Sequence, residues 1–493
     1  MLAVLAACTL ISRLLYLGQP ILNIDEQFYL LVGDRMLAGA WPYADIWDRK
    51  PPVLFAIYAG IRLLGGEGIW QSQLAALASV TATAFVIHRL ALRLAPTAGA
   101  LGAGVAYVWW SALCGGAIGQ AGVFFNLFMA LAALLLVQAM ERERDGAAIL
   151  PRGLAAMLLA GLSVQTKQSV VFEAAWFGLA FAALAWRTRP PAAALGITVL
   201  AAGVALAPSL AAVALWWRAG ALDALLFATV TSAGLRAPMG WNDYAWHLAT
   251  SLLRVAPLVA FALAGMRMAG REDGRWGGRG PRLFLTGWLA VAVLALFAYD
   301  RTFYDHYLLG LLVPAAVLAA PAFAAWRRLR LAMAATAMAV VLAVFALQWA
   351  ERSKSGQGRT VAALAAATAG QRNCPFSFGG PSVAYALNGW CLPTRYAFAG
   401  HLTFAAESPA IGVDSAAEVA RILDARPDRV IVTAAPMAKA NAATRALVMR
   451  RLARDYTPAA RIEPDGLVVY RLRPGLTPRP NAVGPAAKTG GGA

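Results

Sequence analysis

The sequence predicts an α-helical polytopic membrane protein with a small C-terminal extracytoplasmic α/β domain, and three observations lead there. The 493-residue chain is 60% hydrophobic with a mean hydropathy of +0.60, above the roughly half-apolar composition of soluble domains. Apolar runs of about 20 residues, the length a helix needs to cross a bilayer, recur over positions 1–350. Beyond 350 the pattern changes to polar loops with short alternating runs such as "DRVIVTAAP" and "GLVVYRLRP", between helical stretches such as "SAAEVARILDA".

The apolar runs fall near 2–18, 67–87, 97–114, 122–140, 149–165, 168–186, 191–216, 247–266, 283–299, 307–325 and 331–350. That is about eleven helices, and uninterrupted runs of this kind exclude a β-barrel. The stretch "PPVLFAIYAGIRLLGG" (51–66) is short for a span and carries Arg62, so it reads as an interfacial helix of the first outer loop, 19–66. The first run has no basic region before it and reads as a signal anchor.

A net charge of +18 invites a nucleic-acid partner, but the arginines sit in short clusters between apolar runs. With eleven spans, His88/Arg89/Arg93, "ERERDG" (141–146) with Arg152, Arg187/Arg189, "RMAGREDGRWGGRGPR" (267–282) and "RRLR" (327–330) all fall on one side. The positive-inside rule makes that side cytoplasmic. The first loop, the turns near 115–121 and 166–168, the loop 217–246, "YDRTFYDHY" (299–307) and everything after 351 then face outward. The expected location is the bacterial cytoplasmic membrane, with site and C-terminal domain on the periplasmic side and membrane lipids as surroundings. The expected division is a membrane domain over 1–350 and an outer domain over 351–475. Residues 476–493, rich in Pro, Gly and Ala, read as disordered. Cys374 and Cys391 would meet an oxidising compartment, where a disulfide fits; two free thiols are the alternative.

The first outer loop, residues 21–59, concentrates charge in a chain where only 14% of residues are charged. Asp25 and Glu26 open a helix with Phe28, Leu31 and Val32 at helical spacing. Asn23 followed by Glu26 resembles a capping box, which accounts for Glu26 but leaves Asp25 only as a favourable helix-start charge. Further on, "DRKPP" places Arg49 and Lys50 before two prolines that fix a helix start. A cation there is a snorkelling anchor or a phosphate ligand. A carboxylate and a cation at one face suit glycosyl transfer from a lipid-linked sugar phosphate: the acceptor hydroxyl needs a base, and the leaving phosphate needs positive charge.

These residues carry a resemblance. "SRLLYLG" ending the first span, "DEQFY" opening the loop, "DRKPP" closing it, "GLSVQTKQ" (161–168) and "FYDHYLLGLLVPAAVLAA" (303–320) resemble GT-C-type polytopic glycosyltransferases of the family 39 group. That group includes protein O-mannosyltransferases and the lipid A aminoarabinose transferase. The resemblance covers most of 1–350 and implies inverting transfer of a monosaccharide from a polyprenyl-phosphate donor to an acceptor hydroxyl on a glycan, lipid or protein, without nucleotide or essential metal. Asp25 matches the catalytic acidic position, Glu26 its neighbour, and Lys50 the cation before proline that contacts the lipid phosphate. Gln27 stands where some relatives carry a basic residue.

Further candidates share the outer face. Lys167, with Arg49 and Arg301, is a candidate for the donor phosphate. Gln120, Tyr304, His306 and Tyr307 are candidates for sugar or acceptor, against the alternatives of an interfacial aromatic belt or of polar links between helices. Asp45 and Asp48 could place a divalent ion beside Asp25 and Glu26, but scattered loop carboxylates are more often solvated, so no cofactor is expected. The competing functions are a lipid-linked glycan ligase, which would rely on Arg and His, and a transporter or flippase, which would carry midplane charges and internal repeats.

Overall fold

The computed structural model describes residues 1–142, 146–269, 278–299, 302–436, 439–481 and 483. The basic clusters at 141–146 and 267–282 lie partly outside these residues; Arg301 and most of the expected disordered tail lie outside them.

The helices run α1 Leu2–Ile11, α2 Ile24–Leu37, α3 Pro52–Arg62, α4 Ile69–Ala91, α5 Thr97–Leu113, α6 Ala121–Glu141, α7 Gly146–Val164, α8 Val171–Thr188, α9 Pro191–Arg218, α10 Leu222–Leu226 and α11 Ser232–Leu235. They continue as α12 Trp241–Ala269, α13 Arg279–Ala298, α14 Leu309–Ala324, α15 Trp326–Ser353, α16 Gly358–Ala367, α17 Val383–Leu387, α18 Ser415–Asp424 and α19 Ala442–Asp455. Every expected span lands on an apolar helix. Eight stretches of described residues are long and apolar enough to cross a membrane; α1, α5 and the Ile149–Val164 part of α7 are shorter. The chain is a multi-pass membrane protein. Helix α3 has 11 residues, about 16 Å at the helical rise, too short to span.

The chain divides into two compact units. The first comprises Met1–Leu15, Gln73–Ala212 and Met239–Gln348. Small residues let its helices touch: a Cβ on Gly265 of α12 would lie 2.1 Å from the Leu318 carbonyl oxygen of α14, the close approach typical of membrane helix pairs. Proline interrupts α14 at Pro314 and Pro321, yet all of its residues from Leu311 to Ala322 are buried.

The second unit comprises Tyr16–Ser72, Val213–Pro238 and Trp349–Ala493, so the first loop packs in one body with the segment after 349. Its sheet has four strands, β1 Phe376–Phe378, β2 Arg429–Thr433, β3 Tyr456–Ile462 and β4 Leu467–Leu472, in the order β1-β2-β4-β3. Strands β1 and β2 are parallel, and the other two pairs antiparallel. Cys374 and Cys391 are joined by a disulfide.

Candidate functional site

The first loop is built from its caps inward. Asn23 accepts from the Asp25 and Glu26 amides at 2.9 and 3.4 Å, which starts α2 and presents both carboxylates in its first turn. Pro52 occupies the start of α3, where its fixed φ suits a helix and its missing N–H goes unnoticed. Helices α2 and α3 meet closely at Gly33, where a Cβ would stand 2.7 Å from the Ala59 nitrogen. That contact brings Tyr29 and Tyr58 to 5.5 Å between ring centroids.

Between the helices the chain makes a tight turn. Tyr43 is buried with φ of 74°, and its amide donates to the Ile46 carbonyl at 2.7 Å. Asp45 accepts from the Trp41 amide at 2.8 Å, and Asp48 from the Arg49 and Lys50 amides at 2.5 and 3.3 Å. Both carboxylates are thus occupied with shaping the turn. Among the described residues no three His, Cys, Asp or Glu side chains are grouped to hold a metal ion.

The Lys50 ammonium lies 5.8 Å from the Tyr29 ring centroid and makes no ion pair among the described residues. Arg49 behaves differently. It pairs with Glu407, its Nε donates to Ser232 Oγ at 3.3 Å, and it sits 5.5 Å from the Trp47 ring. Glu407 also takes Arg236 Nε at 2.9 Å. Burial tends to raise the Glu407 carboxyl, but the charge and hydrogen bond of Arg49, then Arg236, outweigh it and bring it to about 2.

Beside this clamp stands His401, 2% exposed, with ring contacts to Trp47 at 4.7 Å, Phe398 at 4.9 Å and Phe28 at 5.9 Å. Its Nδ1 has no hydrogen-bond partner among the described residues. Burial pushes its pKa down to about 3; Glu407 and Asp25 pull it up, while Arg49 and Lys50 push it further down. Asp48 is raised by burial, opposed by Lys50 and Arg49 and reinforced by Asp25. Asp25, Asp48, Arg49, Lys50, His401 and Glu407 therefore share one electrostatic neighbourhood. Tyr58 is raised by burial first and then by the charges of Glu26 and Asp25.

The first unit gathers the other candidates. Lys167, 4% exposed, lays its ammonium 3.9 Å from the Tyr307 ring centroid. Glu173, 5% exposed, follows in the first turn of α8. Tyr304 stacks on His306 at 6.2 Å and meets His247 at 5.0 Å, and Asp305 pairs with Arg254. Gln120 precedes α6 and is buried. Arg13 donates to Ser111 Oγ at 2.7 Å and to the Gly116 carbonyl at 3.0 Å, which ties down the turn before Gln120. An apolar cavity of about 410 Å³, lined by Gly102, Trp109, Trp110, Phe261, Phe323 and Val340 among others, runs along α5.

His401, Glu407, Arg236 and Glu173 were not singled out from sequence. Glu173 is legible as a lone carboxylate in an apolar helix, the kind of residue that marks function in a membrane. For the other three no local signal exists.

No protein-family model and no curated protein matches the chain. Solved structures do. ArnT from Cupriavidus metallidurans bound to undecaprenyl phosphate aligns over 96% of this chain and 98% of its own, with a TM-score of 0.66 and 14% identity. The same protein in its apo state gives 0.65 and 15%, over 95% and 97%. The apo Archaeoglobus fulgidus oligosaccharyltransferase gives 0.53 and 12%, over 87% of this chain and 69% of its own. At these identities the likeness is one of fold: the chain has the GT-C architecture of these membrane proteins.

Proposed function

We propose that this GT-C-fold chain is a membrane glycosyltransferase that moves a monosaccharide from a polyprenyl-phosphate donor to an acceptor hydroxyl at the outer face of the membrane, with inversion. The observation that carries the reading is the shared neighbourhood of Asp25 and Lys50: a carboxylate in the first turn of α2 and an ammonium without an ion-pair partner where α3 begins. The binding of undecaprenyl phosphate by ArnT and of dolichol phosphate by the Archaeoglobus AglB favours a polyprenyl phosphate as the lipid partner.

In this mechanism Asp25 takes the acceptor hydroxyl proton as the oxygen attacks the anomeric carbon. The bond from that carbon to the phosphate oxygen breaks, and the phosphate leaves with the electron pair. Lys50 offsets the charge that develops on it. Glu26, its neighbour in the same helical turn, orients Asp25. Within the first unit, Lys167, held over Tyr307, offers a cation suited to an anionic lipid headgroup, and Gln120, Tyr304, His306 and Tyr307 offer hydrogen bonds and ring faces suited to a sugar or acceptor. The apolar cavity along α5 suits an isoprenyl chain.

Purified protein with labelled polyprenyl-phosphate sugars and candidate acceptors tests this. Polyprenyl phosphate should appear only when acceptor is present, whereas a flippase would release none. Asp25→Asn should lower transfer by 10²-fold or more, of the order of a lost general base, while lipid-phosphate binding persists; full activity in that variant removes Asp25 from the base role.

A further inference from the structure

We propose that Glu407 is a positioning residue that sets how tightly the first loop holds a lipid phosphate, by holding the Arg49 charge in check. The inference rests on the transferase reading above. Two adjacent cations, Arg49 and Lys50, end the turn between α2 and α3, but only Arg49 has an ion-pair partner among the described residues. Glu407 is 4% exposed and pairs with Arg49 of the first loop and Arg236 of the 213–238 segment. Ser232 reinforces the arrangement: it accepts from Arg49 Nε and donates to the Ala410 carbonyl at 2.8 Å. The Trp47 amide donates to the Arg395 carbonyl at 2.9 Å, so the backbone on both sides is fixed as well.

This geometry has a chemical consequence. A transferase must bind its donor phosphate and then let polyprenyl phosphate go. The departing phosphate carries more negative charge than the donor's phosphodiester, so every extra cation at the site favours product over substrate. A carboxylate on Arg49 leaves Lys50 as the dominant charge. Glu407 thereby keeps the product from being held too well, an effect transmitted through Arg49 rather than by contact with the lipid.

A purely mechanical tether makes the opposite forecast, because its loss loosens the loop and weakens binding. Binding of undecaprenyl phosphate to full-length protein in nanodiscs separates the two, alongside kcat, KM and product inhibition. Lys50→Ala should weaken binding. Glu407→Gln should tighten it, on the order of tenfold for one unmasked charge in a partly screened site, with kcat and KM falling together and product inhibition deepening. Glu407→Asp, which keeps the charge, should stay near wild type, and Arg236→Gln should bind more weakly. If Glu407→Gln alone does not fold, the pair Arg236→Gln/Glu407→Gln, which preserves the net charge of the clamp, must bind tighter than Arg236→Gln. Weaker or unchanged binding after loss of Glu407 overturns the inference while leaving the transferase reading intact. Undecaprenyl phosphate that does not bind, or binds equally well to Lys50→Ala, overturns both.

Discussion

Tyr43 donates its hydroxyl hydrogen to the Lys50 backbone carbonyl at 2.8 Å. The bond closes the turn between α2 and α3 across seven residues, and Tyr43 reaches it only from a left-handed backbone. Such a conformation in a non-glycine residue persists where surrounding contacts hold it. Tyr43→Phe removes the bond and leaves a part-buried carbonyl without it, at a cost of about 1 kcal/mol. A fall in thermal stability, and a rise in KM for the lipid donor as Lys50 loses its fixed backbone, are the expected readouts. Unchanged values for both would show that the turn holds without this bond.

Gly33 makes a second prediction. A methyl group there meets backbone atoms of Tyr58 and Ala59, which cannot yield as a flexible side chain can. Gly33→Ala should separate α2 from α3 at a cost of about 1–3 kcal/mol and reduce the yield of monodisperse protein. Wild-type thermal stability in that variant would mean that the helices meet less closely.

The pH dependence follows from His401. An unfolded histidine takes up a proton near pH 6.5, but the buried one resists until about 3. As pH falls below 6.5 the unfolded state gains protons that the folded state does not, so stability declines. At pH 5 the loss from this residue reaches about 2 kcal/mol. Glu407, depressed to about 2, works in another window: its contribution is intact above the ordinary glutamate range and fades only as pH falls from there toward 2. Thermal shifts at pH 7.5 and pH 5 should therefore converge in His401→Phe. A wild-type slope in that variant assigns the acid sensitivity elsewhere.

The Cys374–Cys391 disulfide spans 17 residues, a loop whose closure stabilises by about 3 kcal/mol. Cys391→Ser, or reduction of the native protein, should lower the melting temperature of the second unit. Insensitivity to reductant would mean that the segment is held by its packing alone.

The membrane helices were legible because apolar runs and Arg clusters repeat at the length scale of a bilayer, and the α2 cap because Asn23 and Glu26 lie three residues apart. Arg49 was harder. In "DRKPP" it looks equivalent to Lys50, and nothing nearby distinguishes them. The difference comes from Glu407, 358 residues away, and from Ser232 on a third segment. His401 was hidden for the same reason: its neighbours Phe28 and Trp47 are remote in the chain, and a histidine in "FAGHLTF" has no local pattern of its own. Local periodicity reports which elements form, and it carries no information on which distant charge will be neutralised.

Gln357 grips both backbone groups of Ile21, accepting from its N–H at 2.9 Å and donating to its C=O at 2.7 Å. The start of the first loop is therefore stitched to a residue beyond the last membrane helix, and the C-terminal segment is no detachable cassette. A chimera that grafts residues 349–493 onto a homologous membrane body would carry half a seam. Recombination between relatives should succeed only when 16–72, 213–238 and the C-terminal segment travel together, which couples the drift of three stretches that translation makes far apart.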